Sequence, residues 1–185
     1  MHVSLARGKN SWVSLDSFVD FLISIDMRPA FELGFSPDWM ASDPTITGPG
    51  SPDAGNHTMS QGYGYRDNQS PPANNTIWAE FISAMATHFV ERYGEDTAAE
   101  FMFEVWNEPQ WAFAGSKLKY LAMYEATARA LKAVSPRLRV GGPATSEDMV
   151  NVSASVPAFG TDWLSNFTSY CRKSGTPFDY VTNHN

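Results

Sequence analysis

Two hydrophobic rhythms alternate along the chain. Leu15, Phe18, Val19, Leu22 and Ile23 recur at helical spacing, so residues 14–26 read as a helix with Ser14 or Asp16 as its cap. "RPAFELGF" follows; it is short, apolar and bounded by Pro29 and Gly34, and reads as a strand. Trp78, Phe81, Ile82, Met85 and Phe89 mark one face of a helix over 77–93, with Gly94 as its stop. "EFMFEVWNEP" is a second strand. A helix starting at Ser116 turns Leu118, Leu121, Tyr124, Ala128 and Leu131 inward and ends at Ser135 and Pro136. "LRVGGPA" is a third strand, where Gly141 and Gly142 allow close backbone passage. Leu164 and Phe167 face inward from a helix around 163–171, and "FDYVTNHN" is the last strand.

Helix and strand therefore alternate four times, the signature of a parallel sheet covered by helices. A barrel and a doubly wound sheet both satisfy it. Between the first strand and the second helix lies a stretch over 36–75, rich in Gly, Pro, Ser, Asn and Asp, with no period. A structureless connection that long is functional or disordered in a compact domain. Its aromatics, Trp39, Tyr63 and Tyr65, favour an ordered surface on the site-bearing side.

Composition narrows the function. The 185 residues carry a formal charge of -7 and a pI near 5.0, with no basic stripe, which disfavours nucleic acid as a partner. No window of 18 apolar residues exists, so no membrane span is expected. The single cysteine, Cys171, excludes an internal disulfide and reads as a small core residue. No glycine-rich fingerprint follows a strand, no G-K-[ST] follows "GGPATS", and no G-x-S-x-G occurs. His2, His57, His88 and His184 are scattered, so neither a metal nor a cofactor is expected. Location has two opposed signs. "HVSLARGKNSW" after Met1 lacks the apolar core of a signal peptide, which points to the cytoplasm. Five glycosylation sequons, at Asn56, Asn68, Asn74, Asn151 and Asn166, exceed the roughly two expected by chance and point to a secreted or lysosomal protein whose leader is missing. They fall mostly in expected loops.

Candidate chemistry sits at strand ends. The four strands finish in "ELGFSPDW", "WNEP", "GGPATS" and "TNHN", and in a barrel the working groups project from those ends. Glu108 is the first candidate: a carboxyl at the lip of an aromatic pocket loses water, keeps its proton and can act as a general acid. Asn107 offers an acceptor and two donors to a sugar hydroxyl, with Trp106 and Trp111 as walls. The plainer reading has Glu108 capping a helix or pairing with Arg139. Glu32 repeats the pattern but reads equally as a structural carboxylate satisfied by Arg28. Strand alternation puts Trp106 and Glu108 on one face, and Glu104, three residues before Asn107, reads as structural.

"RPAFELGF", "FEVWNEP", "YEATARALKAVSPRLRVGGPATS" and "FDYVTNHN" resemble, in order and spacing, glycoside hydrolase family 39, which holds β-xylosidases and α-L-iduronidases. The likeness covers about residues 12–185 and leans to the β-xylosidase side through "FELGF" and "FEVWNEP". It implies strands three to six of a (β/α)8 barrel, a partial catalytic domain over 1–185. It implies that Glu108 is the general acid/base, that Asn107 holds the hydroxyl beside the reacting carbon, and that His184 and Phe35 contact the sugar in the pocket. The family's nucleophilic glutamate ends its seventh strand, outside this stretch. The expectation is therefore a retaining glycosidase in the parent protein and an inactive, aggregation-prone half barrel alone. The rival accounts are a carbohydrate-binding module and a truncated product with no function.

Overall fold

The computed structural model describes residues 4–42, 70–113, 116–145 and 163–184. A two-stranded antiparallel hairpin comes first, β1 (Ser4–Ala6) and β2 (Lys9–Asn10), which the hydrophobic pattern does not announce. Then follow α1 (Val13–Ser24), β3 (Ala30–Leu33), a 3-10 turn (Asp38–Met40), α2 (Asn75–Tyr93) and α3 (Glu95–Ala98). The second half runs β4 (Met102–Val105), α4 (Pro109–Ala112), α5 (Lys117–Val134), β5 (Arg139–Thr145), α6 (Trp163–Ser174) and β6 (Tyr180–Asn183). Strands β3, β4, β5 and β6 form one parallel sheet in that order, each step crossing through a helix. This is the βα alternation read from the sequence.

The sheet has two unlike faces. Phe31, Phe103 and Val105 point to the helices: Phe31 stacks on Phe89 of α2 at 4.9 Å and on Phe103 at 5.4 Å. Trp78, Ile82, Met85 and Phe89 of α2 and Tyr120, Tyr124, Ala128 and Leu131 of α5 complete that core. On the other face the register places Glu32 beside Glu104, Glu104 beside Gly141, and Gly141 beside Tyr180. Gly141 is required there, because a Cβ at that position would lie 2.3 Å from the Tyr180 ring. Asp179 holds the entry to β6, accepting from the Val140 amide at 2.7 Å and pairing with Lys132 at 2.8 Å.

Several expectations shift in detail. Helix α1 buries Leu15 and Val19, but Phe18 stays 47% exposed, and the helix follows Trp12 without a side-chain cap. Leu118 is 75% exposed; the buried arc of α5 centres on Tyr120, Tyr124 and Leu131, and the 3.6-residue period puts Leu118 on the opposite side. Ser116 does cap α5, accepting from the Lys119 amide. Trp163, Phe167 and Cys171 are the inner face of α6, with Leu164 half-buried. Cys171 is a core thiol, pushed up to about 11 by burial and then by Glu125. His88 binds Asp16 of α1 at 2.6 Å and stacks on Trp12, so it clamps α1 to α2.

The two ends of the 36–75 stretch are tied together: Ala41 bridges Pro72, Ser42 N–H donates to Pro71, and Ala73 N–H donates to Met40. Residues 43–69, with Tyr63, Tyr65, His57, Asn56 and Asn68, lie outside the described residues, as do His2 and Asn151. Of the other two sequons, Asn74 is the N-cap of α2. Asn166 sits exposed inside α6, in a helix rather than a loop. No described helix is long and apolar enough to cross a membrane.

Candidate active site

The turn after β4 explains why an amide and a carboxyl close an apolar run. The strand proper ends at Val105. Trp106 still donates its backbone N–H to Leu33 of β3, and Glu108 donates its own to Ala144 of β5, both near 3 Å. Reaching across in two residues requires left-handed backbone: φ is 69° at Trp106, 44° at Glu108 and 54° at Ala144. Each such non-glycine residue costs on the order of 1–2 kcal/mol. Strain gathered on three residues around one carboxyl is the kind that marks a working site. Pro109 then opens α4, where its fixed φ suits the first helical position.

This geometry overturns the parity argument. The left-handed turn sends Trp106 and Glu108 to different places. Trp106 is fully buried on the helix side, edge-on to Phe35 and Phe113 at 5.4 Å and to Trp78 at 6.3 Å; it is core, not a pocket wall. Glu108 emerges on the far face, where its Oε1 lies 3.3 Å from Nδ1 of His184. His184 is placed by its own N–H, which donates to Thr145 at the end of β5 at 2.8 Å. Both groups thus hang from the carboxyl end of one strand.

Glu104, which the sequence reading set aside, joins them. Its Oε1 lies 3.8 Å from Nε2 of His184. Its register partner Glu32 completes a group in which two carboxylate oxygens and one ring nitrogen lie within 4.8 Å of one another. The Glu32 carboxyl is held above its ordinary value by desolvation first and then by the Glu104 charge, while His184 opposes the shift. Glu32 keeps contact with solvent, yet the protein mass around it removes enough water to favour the protonated form. Tyr180, lying over Gly141, is raised too, by burial and then by Glu104. A signal for the pair was present in the sequence: Phe-Glu-Leu over 31–33 and Phe-Glu-Val over 103–105 repeat one pattern, and the two triplets lie in register.

The remaining candidates divide. Asn107 is half-buried beside Glu108, and Phe35 is half-buried beyond the end of β3 against Trp106. Trp111 falls in α4, and its side chain lies outside what is described. The ion pairs offered as structural alternatives are absent: Arg28 pairs with Glu100 and Asp26, not Glu32, and Arg139 donates to the Glu100 carbonyl, not to Glu108; Glu108 does occupy the N-cap position of α4, but its side chain makes no cap hydrogen bond.

Known proteins share sequence and fold with this chain. A β-xylosidase from Caldicellulosiruptor saccharolyticus is 34% identical over 177 residues, covering 94% of this chain and 30% of its own length. The α-L-iduronidase of Homo sapiens is 34% identical over 148 residues, covering 77% of the chain and 19% of the relative. A solved GH39 β-xylosidase from Caulobacter crescentus superposes with a TM-score of 0.77 at 31% identity, covering all of this chain and 36% of that one. The chain thus spans about 30% of the length of the curated β-xylosidases it matches. The model of the family described as "Glycosyl hydrolases family 39" matches residues 6–185, and with a strained acid at the carboxyl end of β4 in a parallel βα sheet, the chain belongs to that family.

Proposed function

We propose that the chain supplies the proton-transferring side of a retaining glycoside hydrolase that acts on β-xylosides or a related sugar. The observation that supports this most directly is Glu108, held on a left-handed turn at the carboxyl end of β4 and 3.3 Å from His184. In this reading Glu108 protonates the departing glycosidic oxygen, then takes a proton from the water that releases the glycosyl-enzyme. Asn107 holds the hydroxyl beside the reacting carbon, and His184, Phe35 and Trp111 contact the sugar. Retention requires a second carboxyl about 5 Å from the first. Glu32 and Glu104 pair with each other across β3 and β4 and are not read as that group; following the family likeness, the nucleophile is a glutamate at the end of a further strand of the barrel. The 185-residue chain alone is then inactive.

The test uses a complete barrel that contains this chain. Glu108→Gln should lower turnover of xylosides with poor leaving groups by about 10²–10⁴-fold. Activated aryl xylosides should lose less, with azide restoring activity because it replaces the step that needs the base. A Glu108→Gln protein as fast as its parent on poor leaving groups would sink the reading, as would hydrolysis by the isolated chain.

A further inference from the structure

His184 stands between two carboxyl groups, Glu108 at Nδ1 and Glu104 at Nε2. We propose that Glu104 is a positioning residue acting through His184: its charge gives the ring a second place for its proton, so that His184 can serve Glu108 in both of its states. The inference rests on reading Glu108 as the acid/base.

A neutral imidazole has one N–H and one lone pair. An ionised Glu108 only accepts, so it needs the proton on Nδ1. A protonated Glu108 has lost the charge that holds the proton on Nδ1 and offers a donor as well as an acceptor, so the ring proton is free to move to Nε2. The anion nearest that nitrogen is Glu104, at 3.8 Å, a charge pair rather than a hydrogen bond. The two distances, 3.3 and 3.8 Å, are close. With both carboxylates charged, the preference for Nδ1–H is only about threefold at an effective dielectric near 20. A bias that small reverses when Glu108 takes up a proton. Without Glu104, the carboxyl left beside the ring, Glu108 aside, is Glu32, within 4.8 Å and held above its ordinary value by burial, so the pull toward Nε2 weakens and the ring favours Nδ1–H, which favours the ionised form of Glu108.

The surroundings favour this use. The titratable groups facing the ring are Glu32 from β3, Glu104 from β4 and Glu108 from the turn after it, while Tyr180 at the start of β6 adjoins Glu104. Glu32 stands beside Glu104 in the register, its carboxyl held above its ordinary value by burial first and then by the Glu104 charge. Protons balance through the cycle: Glu108 gives one to the leaving oxygen, and the ring exchanges its own between Nε2 and Nδ1 through water, with no net gain or loss.

The test is long-range ¹H–¹⁵N correlation on a complete barrel that contains this chain, labelled with ¹⁵N-histidine, His184 being assigned by His184→Asn. Glu108→Gln, which removes the charge as protonation does, should move the ratio of Nε2–H to Nδ1–H about tenfold toward Nε2–H. In the Glu104→Gln background the same change should fall below about twofold, and Glu104→Asp, which keeps the charge, should restore most of it. Unchanged signals from the other histidines report an intact fold. An equal swing with and without the Glu104 charge, no restoration by Asp, or a ring fixed in one tautomer would overturn the inference. If the coupling is found while Glu108→Gln leaves turnover untouched in the complete barrel, the acid/base reading fails instead.

Discussion

Gly141→Ala tests whether the layer beneath the site is as tightly filled as the geometry states. A Cβ at 141 would lie 2.3 Å from Cδ2 and Cε2 of Tyr180 and 2.7 Å from Cγ, where ordinary contact begins at 3.4 Å. The clash reaches the root of the ring, so turning the ring cannot relieve it; the ring or strand β6 must shift by about 1 Å. Strand β6 is fixed by the Asp179 bond to Val140, and Glu104 lies on the other side of Tyr180. The expected cost is about 3 kcal/mol, the upper part of the overpacking range. Gly175→Ala is the control: φ is 67° there and nothing lies within 4 Å, so it meets backbone strain alone and should cost about 1 kcal/mol. Urea unfolding of a complete barrel that contains this chain, followed by tryptophan fluorescence, gives both values. Equal losses at the two positions would refute the packing argument, because they would leave strain alone as the cost.

Two further predictions concern charge and capping. The raised Glu32 carboxyl means the native state holds this proton more tightly than the unfolded chain, so Glu32 costs stability as pH rises through and above the ordinary value of 4.5. Glu32→Gln should therefore raise the urea midpoint at pH 7 and leave it unchanged below about pH 4; with solvent contact screening the charge, the gain is under about 1 kcal/mol. A gain that is the same at both pH values would contradict this sign. Asn74 accepts from the Thr76 and Ile77 amides at the start of α2, so Asn74→Ala should cost about 1 kcal/mol while Asn74→Asp keeps the cap. Both variants remove the sequon, so mass spectrometry of protein from a glycosylating host separates a lost glycan from a lost cap.

Much of the fold was legible because its signal is local. The apolar stripe from Trp78 to Phe89 and the one through Tyr124, Ala128 and Leu131 identified α2 and α5 from their period. The strand ends and Glu108 were legible through an acid and an amide ending an apolar run. Errors arose where one local rule was carried too far. Leu118 was placed inside by pattern, but it belongs to the first turn of α5, where the buried arc is decided by Tyr120 reaching the Val105 carbonyl. Trp106 and Glu108 were given one face because alternation was assumed past Val105, where the backbone turns left-handed instead. Glu104 was set aside although it lies on the same strand parity as position 108, because its partners Glu32 and His184 come from distant parts of the chain, and the hairpin β1–β2 was too short to show a period.

The sequence by itself determined the βα order, the sheet type, the helix-facing residues and the identity of the acid at the end of β4, because periodicity and strand-end chemistry are properties of neighbouring residues. Only the tertiary structure decided which groups meet that acid. Glu108 and His184 lie 76 positions apart and Glu104 and His184 lie on non-adjacent strands, so their 3.3 and 3.8 Å contacts depend on register across the sheet and on three left-handed residues. Register is a cooperative result of packing on both faces, and no local pattern encodes it.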